Sequence, residues 1–332
     1  MKRFIIYLLY FSILPFLIFT VFEITIYSLK SSFFLDRNLQ NVCIDEANDY
    51  EWIKTIKSDS LKFLAGSSSV KYGLSCKILN HLSSRKFNYV NIAMDARDPI
   101  QTYFIIKNLN LKNVSAVYFG LDPWIFTKSY YMYKDGYLYL DFSLLEILKF
   151  SNEHDISSFR KRYKGLFDFF LFNIHKNDGP LNNIIPADFG SAVIEGQAIN
   201  FNQPINDWFQ IDKYGWSDLQ FLYLQKISEL CRERNIKFAV FVPPKRSDYS
   251  KVYKEKCGVI HDEYTRKLVD FGFNSPIFGQ YDQLDKFGDE NNFTEAFHLN
   301  KKGQEVYSLL FYKLTQKPIN GFSEDYNWFL KI

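Results

Sequence analysis

The sequence predicts an α/β fold, a three-layer sandwich on a mostly parallel sheet, preceded by one transmembrane helix. Three observations lead there. Short apolar runs alternate with helical patterns, the rhythm of strand–helix units. One run, Val114-Ser115-Ala116-Val117-Tyr118-Phe119-Gly120, is nearly all apolar, as expected of a parallel strand covered on both faces. The chain also opens with an uncharged apolar stretch, Phe4 to Phe22, long enough to span a bilayer.

Taken in order, residues 1–30 form the expected anchor. Lys2 and Arg3 precede the apolar run and favour a cytoplasmic amino end. Pro15 lies within it, which a transmembrane helix tolerates. No Ala-x-Ala cleavage site follows, which argues against a removed signal peptide. The expected location is therefore the membrane, single-pass, with the carboxyl-terminal domain extracytoplasmic (periplasmic or extracellular). Residues 31–60 are polar and charged and read as a tether. Residues 61–332 form the exported domain, with an insertion at about 125–215.

Within the domain, Leu61–Ala65 reads as a buried strand. Leu74–Leu82 reads as a helix, with Leu74, Ile78 and Leu82 on one face. Tyr89–Ala93 is a second short strand, and Pro99 opens a helix through Gln101–Leu109. The run Val114–Gly120 stops at Leu121-Asp122-Pro123-Trp124. The strand–helix rhythm then breaks. Tyr130–Tyr133, a Lys134-Asp135-Gly136 turn, a basic cluster at 160–164 and a Gly/Pro-bearing stretch from Gly179 to Gly196 read as a cap inserted over the sheet. The rhythm returns with a helix over Leu219–Arg234. A strand over Lys237–Val242 follows, closed by Pro243-Pro244, and then a last helix over Gly303–Leu314.

Composition excludes several classes. The net charge is +3, and Lys2 and Arg3 supply most of it, so the exported part is near neutral. No basic bias points to nucleic acid. Cys43, Cys76, Cys231 and Cys257 have no zinc-ligand spacing, so no metal site is expected. They are expected to form one or two disulfides, or to pack simply in the core. No nucleotide-binding glycine fingerprint appears, and no cofactor is expected.

Two short blocks carry chemistry. Gly66-Ser67-Ser68-Ser69 follows the first strand, where a tight turn aims a hydroxyl into the crevice at the carboxyl edge of the sheet. A serine needs a base, and the base an orienting carboxylate. Glu295-Ala296-Phe297-His298, just before the last helix, supplies both on one loop.

Together these blocks and the strand pattern resemble the SGNH (GDSL-type) hydrolases. The family's Gly-Asp-Ser block falls on Gly66-Ser67-Ser68, which makes Ser68 the nucleophile candidate, with Ser67 and Ser69 behind it. The family's Asp-x-x-His block falls on Glu295 and His298, so His298 would be the general base and Glu295 its orienting acid. The resemblance implies an oxyanion hole from three places: the backbone N–H of Ser68, the position of Ala93 and the position of Asp122. Two of these depart from the pattern. Ala93 stands for a glycine, and Asp122 stands for an asparagine, where a carboxylate accepts hydrogen bonds and donates none. The reading of Asp122 is therefore a turn cap, or a differently arranged site.

Membrane-anchored relatives with a Gly-Ser-Ser block are similar in layout to this chain. They imply serine-type acyl transfer or ester hydrolysis on a cell-envelope glycan, with a membrane-bound O-acyltransferase as partner. The alternative is a catalytically inactive, SGNH-like glycan-binding or scaffolding subunit.

Overall fold

The computed structural model describes residues 50–84, 88–95, 97–109, 112–127, 186–194, 215–247, 263–273, 277–278, 290–295 and 297–316, with scattered positions from 7 to 21. By contacts the chain divides into a unit of Asp49–Tyr133 with Leu181–Ile332 and a unit of Met1–Asn48 with Lys134–Pro180. The second unit lies almost wholly outside the described residues. So do the basic cluster at 160–164, Cys43 and Cys257. At the described positions between Tyr7 and Val21 the backbone is helical, and apolar side chains such as Phe11 and Ile18 are exposed. Among the described residues no helix is long and apolar enough to cross a membrane. The expected span, Phe4–Phe22, is described only in part.

The first unit is an α/β domain on a parallel sheet. In chain order its elements are β1 (Leu61–Ala65), α1 (Ser68–Lys71), α2 (Cys76–Leu82), β2 (Asn88–Asn91), α3 (Pro99–Asn108), β3 (Val114–Gly120), α4 (Asp218–Glu233), β4 (Lys237–Phe241), β5 (Ile277–Phe278) and α5 (Lys301–Gln316). The strands pair in the order β2-β1-β3-β4-β5, every pair parallel. This order reverses direction between β1 and β3. Such a switch point leaves a crevice at the carboxyl ends of the strands.

Alternation along the strands assigns the two faces. Phe63, Ala65, Val117, Phe119 and Val240 join Ile105 and Ile106 of α3 and Phe221, Leu224 and Ile227 of α4 in one core cluster. Leu64, Ala116, Tyr118, Ala239 and Phe241 join Cys76 and Leu79 of α2 and Tyr307 and Phe311 of α5 in the other. Both faces are covered, which is why β3 and β4 read as apolar runs rather than alternating ones. Each fully buried side chain such as Phe63 or Leu64 contributes about 1.5–3 kcal/mol.

Caps set the helix starts. Asp98 accepts from the Gln101 N–H at 2.9 Å and Pro99 takes the first position of α3. Ser75 caps α2 by accepting from Ile78 N–H. Asn300 accepts from Gly303 N–H at 3.0 Å and so starts α5 two residues earlier than the apolar pattern suggests.

One expectation is corrected. The tether expected over 31–60 does not extend that far, because Tyr50, Trp52 and Ile53 are buried in the first core cluster. Their aromatic and branched side chains outweigh the charged residues around them. Of the two expectations for the cysteines, simple core packing holds for Cys76 and Cys231, both buried free thiols in opposite core clusters. The ends of the inserted segment meet beside the sheet, where Thr127 and Trp216 form an isolated antiparallel bridge.

Candidate active site

The serine turn is built by close approach of β1 and β3. Gly66 has φ +135°, and a Cβ there would lie 2.9 Å from Val70 Cγ2 and 3.0 Å from the Gly120 carbonyl oxygen. Only glycine fits both the space and the backbone conformation. The chain then enters α1 with Ser67 as its cap.

The three serines have different partners. Ser67 is buried, donates its hydroxyl to Asp122 Oδ2 across the switch point, and accepts from Ser69 N–H at 3.4 Å. Ser69 is buried and accepts from Lys245 Nζ at 3.1 Å. Ser68 is only partly buried, and among the described residues its hydroxyl has no hydrogen-bond partner. The geometry thus leaves Ser68 as the uncommitted hydroxyl of the turn.

His298 is held in a tight loop closed by the Phe293–Leu299 bridge. Its carbonyl accepts from Thr294 N–H at 2.9 Å and from Thr294 Oγ1 at 3.1 Å. Its Nδ1 pairs with Glu295 Oε1. A carboxylate only accepts, so Nδ1 carries a proton, and in the neutral imidazole Nε2 is the nitrogen with the lone pair. Nε2 is shielded from solvent and has no partner among the described residues. Hydrogen bonding from His298 holds the Glu295 carboxyl below its ordinary range, against the opposing effect of burial.

The fold brings this loop to the serine turn. The His298 ring packs edge-on against Tyr72 at 5.3 Å between centroids. Tyr72 ends α1, and its N–H donates to the Ser68 carbonyl at 2.9 Å. Gln304 of α5 donates to the Tyr72 carbonyl at 3.0 Å. Val70 and Leu299 share one core cluster. Sequence blocks more than 200 residues apart are thereby packed together.

The oxyanion positions differ from expectation. The Ser68 N–H has no partner among the described residues, so that donor is open. The Ala93 N–H is not, because it donates to Asn91 Oδ1 at 2.9 Å. Asn91 is itself fully buried and also donates to the Val70 carbonyl, which locks the end of β2 to α1. Asp122 makes no cap hydrogen bond to the turn that follows it. Instead its fully buried carboxylate takes the Ser67 hydroxyl on one oxygen and Lys245 Nζ, at 2.7 Å, on the other. Capping is corrected to ion pairing.

Lys245 escaped the sequence reading. Pro243-Pro244 signalled only the end of β4, and nothing local marks the next side chain as buried. Its ammonium lies 4.5 Å from the Trp124 ring and 5.6 Å from the Phe297 ring. Burial pulls its pKa down, and Asp122 pulls it back up. Nζ donates to Asp122 and to Ser69, and an ammonium so paired has no lone pair to take a proton from Ser69.

Segment 186–194, within the insertion, packs against the serine turn's supports. Ala192 N–H donates to the Lys71 carbonyl, Asn91 N–H to the Phe189 carbonyl, and Gln304 Nε2 to the Ala192 carbonyl at 2.7 Å. Asp188 accepts from Ser75 Oγ at 2.8 Å and from Lys77 N–H, adding a second cap to α2. The strap thus ties together α1, α2, β2 and α5, the elements that carry or support the serine turn. No protein-family model matches the chain, and no curated protein matches it.

Proposed function

We propose that the chain is a serine-type acyl-transfer or ester-hydrolysing protein. Ser68 attacks the acyl carbonyl, His298 Nε2 takes the hydroxyl proton and later returns it to the leaving or accepting oxygen, and Glu295 keeps the imidazole in the required tautomer. The observation that carries this reading is the His298 side chain. A shielded ring nitrogen with no partner among the described residues, on an imidazole whose other nitrogen pairs with a carboxylate, packs against Tyr72 at the end of the short helix that Ser68 opens. The open Ser68 N–H serves the developing oxyanion.

The SGNH-like arrangement supplies the substrate class. The sheet with helices on both faces suits the three-layer form of that family. Two of the chain's departures from that family also meet in space: Ser67, where the Gly-Asp-Ser block has aspartate, donates to Asp122, where the family has asparagine. One change answers the other. The substrate is then an envelope glycan or its acyl ester, and the partner a membrane-bound O-acyltransferase. The uncharged run Phe4–Phe22, and the exposed apolar side chains described within it, support a single-pass anchor with the domain outside the cytoplasm.

A second reading has its own observation. Ala93 N–H is occupied and Asp122 is ion-paired, so two of three oxyanion positions are closed. Each lost donor typically costs 10²–10³ in rate, which favours a binding or scaffolding subunit that kept the turn. A fluorophosphonate probe separates the two. Labelling of the full chain that vanishes in His298→Ala supports catalysis, whereas a folded, unlabelled protein supports the binding subunit.

A further inference from the structure

We propose that Lys245 is a positioning residue of the serine site, a buried ammonium that cancels the Asp122 charge so that the oxyanion forms beside a neutral pair. The proposal deepens the Ser68 reading and rests on it. A lone carboxylate at position 122 would oppose the negative charge that develops on the acyl oxygen, and in a desolvated site that repulsion is strong. An ammonium 2.7 Å away turns the carboxylate into half of a compact pair whose field falls off quickly. Both side chains are fully shielded from solvent, so neither is screened by water.

The placement is specific. The same ammonium donates to Ser69 at 3.1 Å, and the same carboxylate accepts from Ser67. The two residues flanking Ser68 are therefore both held by the pair. Residue 245 reaches this place because Pro243-Pro244 stop β4 from continuing and turn the chain in over the strand ends. Trp124 and Phe297 wall off the stem and fix the ammonium against their faces. The other charged groups that act here are Glu295, which Lys245 feels electrostatically, and Arg246, which acts on Glu295. Tyr307, whose phenol burial pushes far up, stays neutral. Lys245 touches no reacting atom and acts through Asp122, Ser67 and Ser69.

The test compares the wild-type full chain with Lys245→Met and with Asp122→Asn/Lys245→Met. The double variant restores neutrality and leaves no unpaired charge buried, so it keeps the comparison open if Lys245→Met folds poorly. Two readouts are taken. One is the rate of fluorophosphonate labelling at Ser68. The other is the pH profile of that labelling.

Lys245→Met is expected to slow labelling by about 10²–10³-fold and to change its pH profile, because the buried charge beside the turn is no longer balanced. The double variant is expected to label within about tenfold of wild type, with the pH profile returned. A merely structural lysine would give no such return. Unchanged labelling and pH profile in Lys245→Met overturn the proposal, as does a double variant no better than the single. Wild-type protein that is not labelled overturns the serine reading and the role of Lys245 with it, whereas labelled wild type with an unaffected Lys245→Met overturns the role of Lys245 alone.

Discussion

Gly66 and Gly120 lie back to back under the serine turn, and they are glycine for different reasons. A Cβ on Gly120 would fall inside van der Waals contact of Val70 Cγ2, with Phe241 and Pro243 side chains 3.3 Å away. The obstacle is chiefly one side chain. Gly120→Ala should cost about 1–3 kcal/mol through overpacking, and Val70→Ala about 2 kcal/mol through lost burial. Together the new methyl fills space that Val70 vacates. The double variant should therefore be less destabilised than the sum of the singles, with a coupling of about 2 kcal/mol. Gly66→Ala meets a backbone oxygen at 3.0 Å and holds φ at +135°. The strained backbone alone costs about 1–3 kcal/mol, and Val70→Ala removes neither problem. Its coupling should stay below about 1 kcal/mol. Urea denaturation of the two cycles measures both. Equal couplings, or a Gly120→Ala variant as stable as wild type, would refute the reasoning.

Other substitutions separate structure from chemistry at the same turn. Ser68→Ala should leave stability within about 0.5 kcal/mol, whereas Ser67→Ala, which strips a buried partner from Asp122, should cost about 1–3 kcal/mol by the same assay. Glu295 has a folded pKa below its ordinary 4.5, first through its hydrogen bond from His298. Its pairing thus stabilises the fold above pH 4.5 and is lost as pH falls through the lowered folded value. The stability gap between wild type and Glu295→Gln should accordingly shrink on acidification through that window, and a gap independent of pH would contradict it. Asp188→Ala should loosen the start of α2, at a cost of about 1 kcal/mol. Faster hydrogen exchange at the Lys77 amide would report it, since that amide donates to Asp188.

The sheet was legible because its signals are local. Leu61–Ala65 and Val114–Gly120 have the bounds their apolar runs predict, and Pro243 ends β4 one residue later than the ladder does. Two helix starts moved by two residues where a side-chain cap decided them, at Ser75 and Asn300. Two short blocks single out Ser68, Glu295 and His298 in the sequence, and the structure pairs Glu295 with His298 and packs that ring on Tyr72 at the end of α1. What stayed hidden is non-local. Asp122 reads as a turn residue until Lys245, 123 positions on, is seen against it. Ala93 reads as an open donor until Asn91 turns its side chain back onto it. The buried Tyr50-Trp52-Ile53 stretch was masked by its charged neighbours.

Identity of the nucleophile is the central claim, and trapping the acyl-enzyme tests it most directly. The full chain would be treated with an activated acetyl ester, quenched in acid before turnover, digested, and the acetylated serine located by fragment mass. The account predicts one acetyl group per chain on Ser68, and none in His298→Ala. Acetyl on Ser67 or Ser69, or a Ser68 adduct that forms equally fast without His298, would contradict it.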